Sequence, residues 1–289
     1  MPTKPALPTK QDYYEASVQE PEAEIDFLLH AFKKLNLPAP RRIREDFAAS
    51  AINCMEWIAS GPERAAIGVD LDRKVLLTDG NRRAAVRLTP AQRTRLSLVH
   101  ADVLDDALLK LPRVDAVLAY NFSYWCFTQR ALMLRYFQQV RRALAPRGVF
   151  LLDFFGGSNV LVEMQERRRF RRLGGFTYVW DQSKYDPATG NYLTKIHFEF
   201  PGDRTPKGRA ARKRKGLAPR KDIKNAFTYA WRLWTLPELR DILHDAGFKT
   251  VTLFADGEDR KGNSTGVWNP VTALDADLSF LCYIAAQSR

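Results

Sequence analysis

Residues Arg64–Val103 read RAAIGVDLDRKVLLTDGNRRAAVRLTPAQRTRLSLVHADV, and two apolar runs frame them. The first, Ala65–Val69, passes into Asp70 without a polar break. The second, Leu96–Ala101, passes into Asp102 and Val103. Between them lies a polar region with helical stretches, in which Thr89-Pro90 marks the start of a short helix. Continuous apolar runs of this length suit parallel strands buried on both faces, so the stretch is strand, helix, strand. Each acid then emerges at the carboxyl edge of a sheet, where open α/β sheets bind ligands. A carboxylate at Asp70 can accept hydrogen bonds from ribose hydroxyls. One at Asp102 can take the exocyclic amine of an adenine while Val103 covers its face. Taken singly, either acid reads equally well as a helix N-cap or a turn residue. Their placement at successive strand ends favours a ligand.

Working outward, Arg41–Phe47 is the expected first strand, with Asp46 at its tip as a partner for a charged ligand group. The turn Ala48-Ala49-Ser50 and a helix over residues 51–60 follow. A nucleotide-binding turn here favours glycine, which lets backbone approach ligand closely and takes positive φ freely. Small residues leave a fairly close approach open. The fourth strand, 115–120, delivers Asn121-Phe122-Ser123-Tyr124-Trp125 to the same edge, where the aromatics either line a cleft or pack in a core. Their position after a strand end favours the cleft. A helix over 128–144 and a turn at Ala145–Gly148 lead to a fifth strand, 149–154. A helix over 236–246, a strand over 250–254 and a closing strand over 280–286 complete a seven-stranded sheet.

Two segments depart from this alternation. An Arg-rich helix after Gly156 is expected to give way to an antiparallel addition over 176–234, made of strands near 176–180, 192–200 and 226–234 that could roof the cleft. His197 and Arg232 are its candidate acceptor contacts, although a lone histidine in a strand is more often structural. Residues 202–224 hold ten Lys and Arg against two Asp, which accounts for most of the net charge of +12. Being nearly free of large apolar residues, this segment reads as a mobile basic loop. A tolerated, solubilising insertion is its first reading, and nucleic-acid binding its second.

One domain over residues 13–289 is expected after a disordered lead, 1–12. Within it, Ile25, Leu28, Leu29, Phe32 and Leu35 recur at helical spacing before the sheet. Tyr13-Tyr14 either fold over a ligand or simply pack. Cys54, Cys126 and Cys282 lack metal spacing and read as reduced core residues, so no metal is expected. No apolar run approaches bilayer length and no signal core opens the chain, which suggests a cytoplasmic protein with no membrane partner.

Several phrases together carry a resemblance: Arg44-Glu45-Asp46-Phe47, Gly61-Pro62-Glu63-Arg64, Gly68-Val69-Asp70-Leu71-Asp72, Asn121–Trp125, Phe176–Gln182, Ile196–Phe200 and Trp231–Glu238. In these the chain resembles the class I S-adenosylmethionine-dependent methyltransferases of bacteria over nearly its whole length, the lead and the basic segment excepted. The resemblance implies an α/β, Rossmann-like seven-stranded sheet with helices on both faces and the antiparallel addition over its cleft. It implies S-adenosyl-L-methionine as cofactor. Asp70 would hold the ribose, Asp102 and Val103 the adenine, and the turn 46–50 with Asp46, Ala48, Ala49 and Ser50 the methionine portion, with Leu71 and Asn121 as further cofactor-binding residues. Where similar proteins carry Phe-Cys-Gly-Thr, this chain has Phe47-Ala48-Ala49-Ser50.

The expected activity is methyl transfer to a small organic acceptor. Such a reaction requires alignment and exclusion of water more than acid–base chemistry. Asn121, Tyr124, Tyr178 and His197 are the candidate catalytic residues. Two alternatives stand beside it: a fold that has lost the cofactor and serves as a binding or regulatory protein, and a nucleic-acid methyltransferase using residues 202–224.

Overall fold

The computed structural model describes residues 7–258 and 264–288. Residues 1–6 of the expected lead lie outside it. The remainder of that lead is ordered: the Thr9 hydroxyl accepts the Asp12 amide and the Asp12 carboxylate accepts the Thr9 amide, a capping box that starts helix α1 (Lys10–Val18). Pro21 opens a second helix, α2 (Pro21–Lys34), so the single helix expected here is two. The stripe Ile25, Leu28, Ala31 and Phe32 on α2 is buried. The chain divides into two compact units, Pro21–Val160 with Trp234–Arg289, and Met1–Glu20 with Leu161–Leu233.

In the larger unit the chain runs β1 (Arg42–Asp46), α3 (Ile52–Ala59), β2 (Ala65–Asp70), α4 (Gly80–Arg87), α5 (Pro90–Arg93), β3 (Leu96–His100), β4 (Val114–Ala119), α6 (Arg130–Ala143) and β5 (Leu144–Gly156). The smaller unit adds β6 (Met164–Phe170), β7 (Phe176–Tyr185), β8 (Asn191–Glu199), α7 (Pro201–Arg204), α8 (Pro206–Arg214) and β9 (Ile223–Arg232) to α1. The larger unit closes with α9 (Leu236–Asp245), β10 (Thr250–Glu258), β11 (Ser264–Val271) and β12 (Phe280–Gln287).

The large sheet has the order β11-β10-β12-β5-β4-β1-β2-β3. Strands β3, β2, β1, β4 and β5 pair in parallel, and β12 lies antiparallel to β5 and to β10. These are the seven expected strands. Alternate residues of the central strands serve different layers. Ile43, Ala116, Leu118, Val149 and Leu151 pack with α2 and α3, whereas Phe150 meets Phe137 of α6 and Phe248 beyond α9. The eighth strand, β11, was not expected, because Gly266 and Pro270 interrupt its apolar alternation. Both are tolerated at a sheet edge, where half the ladder is unpaired.

The smaller unit is a four-stranded antiparallel sheet, β6-β7-β8-β9. Tyr13 of α1 packs on Phe176, Phe198 and Phe200 across one face. Two expectations are corrected here. The Arg-rich segment is strand β6 through Phe170, with Arg167 opposite Val179 and Arg169 opposite Thr177. Its charges suit an edge strand, which they protect from further pairing. The basic segment 202–224 is not a loop without structure but two short helices folded around buried Asp203. Arg220 donates to Asp203 from Nε at 3.0 Å and Nη2 at 2.9 Å, and Arg212 Nε lies 3.1 Å from it. Arg204 pairs with Asp222. Order here comes from a buried acid, which a scan for apolar residues does not detect. Lys207, Lys213, Arg214 and Lys215 remain exposed.

Candidate active site at the carboxyl edge of the large sheet

The tips of β1, β2, β3 and β4 meet along one edge of the larger unit. The strand order changes direction between β1 and β4, the place where open α/β sheets form a crevice. Around it stand the turn 46–51, the acids after β2 and β3, and the segment 120–126.

The turn is built without glycine. Phe47 (φ 58°), Ala49 (φ 46°) and Ala51 (φ 57°) alternate in the left-handed region, where each L-residue is strained by about 1–2 kcal/mol. Three contacts hold the shape. The Ala48 amide donates to the Val69 carbonyl at 2.9 Å, the Ala51 amide to the Ala48 carbonyl, and the Ala49 amide to Asp70 Oδ2 at 2.7 Å. Ala48, Ser50 and Ala51 are fully buried. The close approach that glycine would give the turn is supplied by its neighbour. A Cβ on Gly68 of β2 would stand 2.9 Å from the Ala51 methyl and 3.4 Å from that of Ala48. Phe47 and Ala49 are half-buried and are the side chains of the turn that solvent reaches.

Asp70 is partly buried, with Oδ1 accepting the Asp72 amide at 2.7 Å. Desolvation raises its pKa, against the opposing pull of the Asp72 and Ala49 amides. Leu71 is 67% exposed beside it, a large apolar surface at the strand end. Asp102 is exposed and accepts the Leu104 amide at 2.8 Å, and Val103 is buried. Two carboxylates and the exposed Leu71 therefore stand at neighbouring tips, hydrogen-bond acceptors beside an apolar surface as an adenosine requires, whereas Val103 is packed into the core and does not present the open face expected of it.

Asp46 does not offer its carboxylate to a ligand. It is 1% exposed, paired with Arg44 at 2.8 Å (Nε to Oδ1) and 2.9 Å (Nη2 to Oδ2), and accepts the Tyr136 hydroxyl at 2.9 Å. A buried acid paired in this way is part of the framework. Tyr124 is likewise corrected: it and Trp125 are buried, and the Tyr124 hydroxyl donates to the Asp153 carbonyl at 2.7 Å. The cleft reading of these aromatics fails because the 3-10 turn 123–126 rolls both rings inward. Asn121 and Phe122 remain half-exposed at the tip.

Tyr178 and His197 belong to the smaller unit. Tyr178 is buried beneath Arg168, whose guanidinium lies 4.9 Å from the ring centroid. His197 Nε2 is 3.0 Å from Asp181 Oδ2, and its Nδ1 accepts the Asn225 amide at 2.8 Å. Those partners place the proton on Nε2 and occupy the Nδ1 lone pair, so the ring holds no spare basic nitrogen. Burial alone would raise Asp181, but hydrogen bonds from His197, Ser183 and Gln165 hold it below the usual carboxylate range.

Two acids at this edge escaped notice in the sequence. Asp153 of β5 accepts the Asn121 amide at 2.6 Å and the Phe122 amide at 3.0 Å, and desolvation pushes its pKa up to about 7. Glu45, directly before Asp46, accepts Asn53 Nδ2 at 2.7 Å and the Cys54 thiol at 3.3 Å. Desolvation raises it to about 7 as well. Asp153 is an isolated polar letter in an apolar run, and Glu45 is one charge among several in Arg41–Asp46, so neither stands out in the sequence. Among the described residues no group of three or more His, Cys, Asp or Glu is placed to hold a metal, and no helix is long and apolar enough to cross a membrane.

No protein-family model matches the chain, and no curated protein does. Solved structures do match. One is an S-adenosylmethionine-dependent methyltransferase from Clostridium acetobutylicum, 13% identical, with a TM-score of 0.62 and 96% of each chain covered. Another is the sugar N-methyltransferase KedS8 from a Streptoalloteichus species, 13% identical, with a TM-score of 0.62, covering 98% of this chain and 94% of that one. A third is CalS10 from Micromonospora echinaspora, an amino pentose methyltransferase solved with S-adenosylmethionine bound, 12% identical, with a TM-score of 0.62 and 99% of each chain covered. At such identities the likeness is one of architecture, and it agrees with the strand order and the antiparallel second sheet: this chain has the fold of the class I S-adenosylmethionine-dependent methyltransferases.

Proposed function

We propose that the protein binds S-adenosyl-L-methionine along the carboxyl edge of its large sheet and transfers the methyl group to a small organic acceptor. The observation that carries this reading is the juxtaposition of Asp70 and Asp102 with the exposed Leu71, beside a turn that keeps its left-handed alternation without glycine. Asp70 would take the ribose hydroxyls and Asp102 the adenine amine. The Asp70–Ala49 hydrogen bond would set the turn under the methionine portion. The cofactor's sulfonium supplies an already activated methyl group. The chain's own part is to orient the acceptor and exclude water.

The state of His197 agrees with modest acid–base demands. With both ring nitrogens engaged His197 offers no base, and an amine acceptor arriving neutral would need none. The sugar and amino pentose acceptors named for KedS8 and CalS10 support the same class. The test is release of S-adenosylhomocysteine when the protein is mixed with S-adenosylmethionine and a panel of amino sugars and small amines. Release that depends on an acceptor supports the proposal. Cofactor binding with no release across the panel would favour a binding protein.

A further inference from the structure

The segment that follows β4 should not hold its shape unaided. Asn121 (φ 57°) and Phe122 (φ 56°) are consecutive left-handed residues, a conformation that is especially unfavourable for phenylalanine. Among the described residues neither amide is seen to donate to a backbone carbonyl. Both donate to one side chain, Asp153, whose Oδ2 takes Asn121 at 2.6 Å and Oδ1 takes Phe122 at 3.0 Å. Asp153 lies on β5, in register opposite Tyr283 of β12, and is 7% exposed. Its backbone carbonyl accepts the Tyr124 hydroxyl, which fixes the far end of the same segment.

We propose that Asp153 is a positioning residue whose ionised carboxylate holds the β4 tip, through the Asn121 and Phe122 amides, in the shape that bound cofactor requires. Its use in binding rests on the function proposed above, whereas its hold on the tip does not. Two amides aimed at the two oxygens match a carboxylate. A protonated acid presents a hydroxyl to one of them and loses that bond. The ionisable groups facing it are Tyr120 and Tyr124 from the tip and Cys282 and Tyr283 from β12. Desolvation raises Tyr120 and Tyr124 well above the usual phenol range and Cys282 to about 12, so these three bring no charge at neutral pH. The carboxylate is therefore stabilised by the two amides and opposed by burial, and it titrates near pH 7. The tip would be firm above that value and loose below it.

The test has two arms. In the first, hydrogen-exchange protection factors at Asn121 and Phe122 are followed in the cofactor-free wild type. On going from pH 8 to pH 6 they should fall roughly tenfold, following the ionised fraction. In the second, S-adenosylhomocysteine affinity at pH 8 is compared with Asp153→Asn, which should bind on the order of tenfold more weakly yet melt no lower than wild type. A merely structural acid would lose both affinity and melting temperature. Protection that does not change between pH 8 and pH 6 overturns the proposal, as does Asp153→Asn binding with wild-type affinity. If the variant fails to fold, the wild-type exchange arm decides alone. Titrating protection in a wild type that binds no S-adenosylhomocysteine at any pH would sink the proposed function and leave the anchor standing.

Discussion

The turn after β1 and the tip after β4 face the same crevice, and both bend through left-handed residues that are not glycine. They hold that shape differently. In the turn the strain is spread over Phe47, Ala49 and Ala51 and contained mainly by packing, with Ala48 and Ala51 seated in the space that Gly68 leaves and Asp70 accepting one amide, that of Ala49. At the tip the strain is concentrated in Asn121 and Phe122 and contained by charge, through the single carboxylate of Asp153. Packing restrains a backbone at any pH, whereas a carboxylate does so only while ionised. One crevice thus has a wall held mainly by packing, with Asp70 on a single amide, beside a wall whose two left-handed amides both rest on one carboxylate.

The largest effect expected from this contrast is in stability against pH. Asp153 and Glu45 rise from ordinary values of 3.8 and 4.5 to about 7 on folding. Between those limits the folded chain keeps protons that the unfolded chain has released. Stability therefore falls as pH rises through that window and levels off above it. Asp153 alone would contribute a decline of about 4 kcal/mol, and Glu45 about 3 kcal/mol. Asp181 and Asp203, held low by their partners, act in the opposite sense and only below roughly pH 4. Urea denaturation at stepped pH should show the decline, and Asp153→Asn should remove its share. A wild-type profile that is flat from pH 4.5 to pH 8 would contradict the charged wall.

A smaller effect probes the packed wall. Gly68→Ala places a methyl 2.9 Å from the Ala51 Cβ and should destabilise the protein by about 2 kcal/mol, at every pH alike. Ala51→Gly in the same chain should restore most of the loss, because it vacates the contested space and relieves a left-handed alanine. Equal urea midpoints for wild type and Gly68→Ala would mean that the turn does not depend on this fit.

How much of this was legible in the sequence differs between the two walls. The strands were plain, because runs such as Ala65–Val69 and Ala116–Ala119 must be buried on both faces and announce themselves by composition alone. The missing glycine of the turn was equally visible. Its answer in Gly68 was not, since that residue is twenty positions away and becomes relevant only when β2 lies beside β1. Asp153 looked like one polar letter in an apolar strand. Its role depends on two amides some thirty residues earlier that pairing of β4 with β5 brings to it. Asp46 misled for the reverse reason: a strand-end acid suggests a ligand, and although Arg44 two residues before it shares its face of the strand, Tyr136 ninety positions on is not marked as a partner by spacing. The basic segment and β6 show the same limit, because charge density in a sequence does not reveal whether an acid is buried beneath it.

The measurement that tests the account most directly is calorimetric titration of the wild type and Asp70→Ala with S-adenosylhomocysteine at pH 8. Saturable one-site binding by the wild type, weakened on the order of a hundredfold in Asp70→Ala, is the predicted result, since that change removes a ribose partner and frees the Ala49 amide together. No binding by the wild type, with binding regained in Ala49→Gly, would contradict it: the alanine turn would then have kept its shape and lost its cofactor.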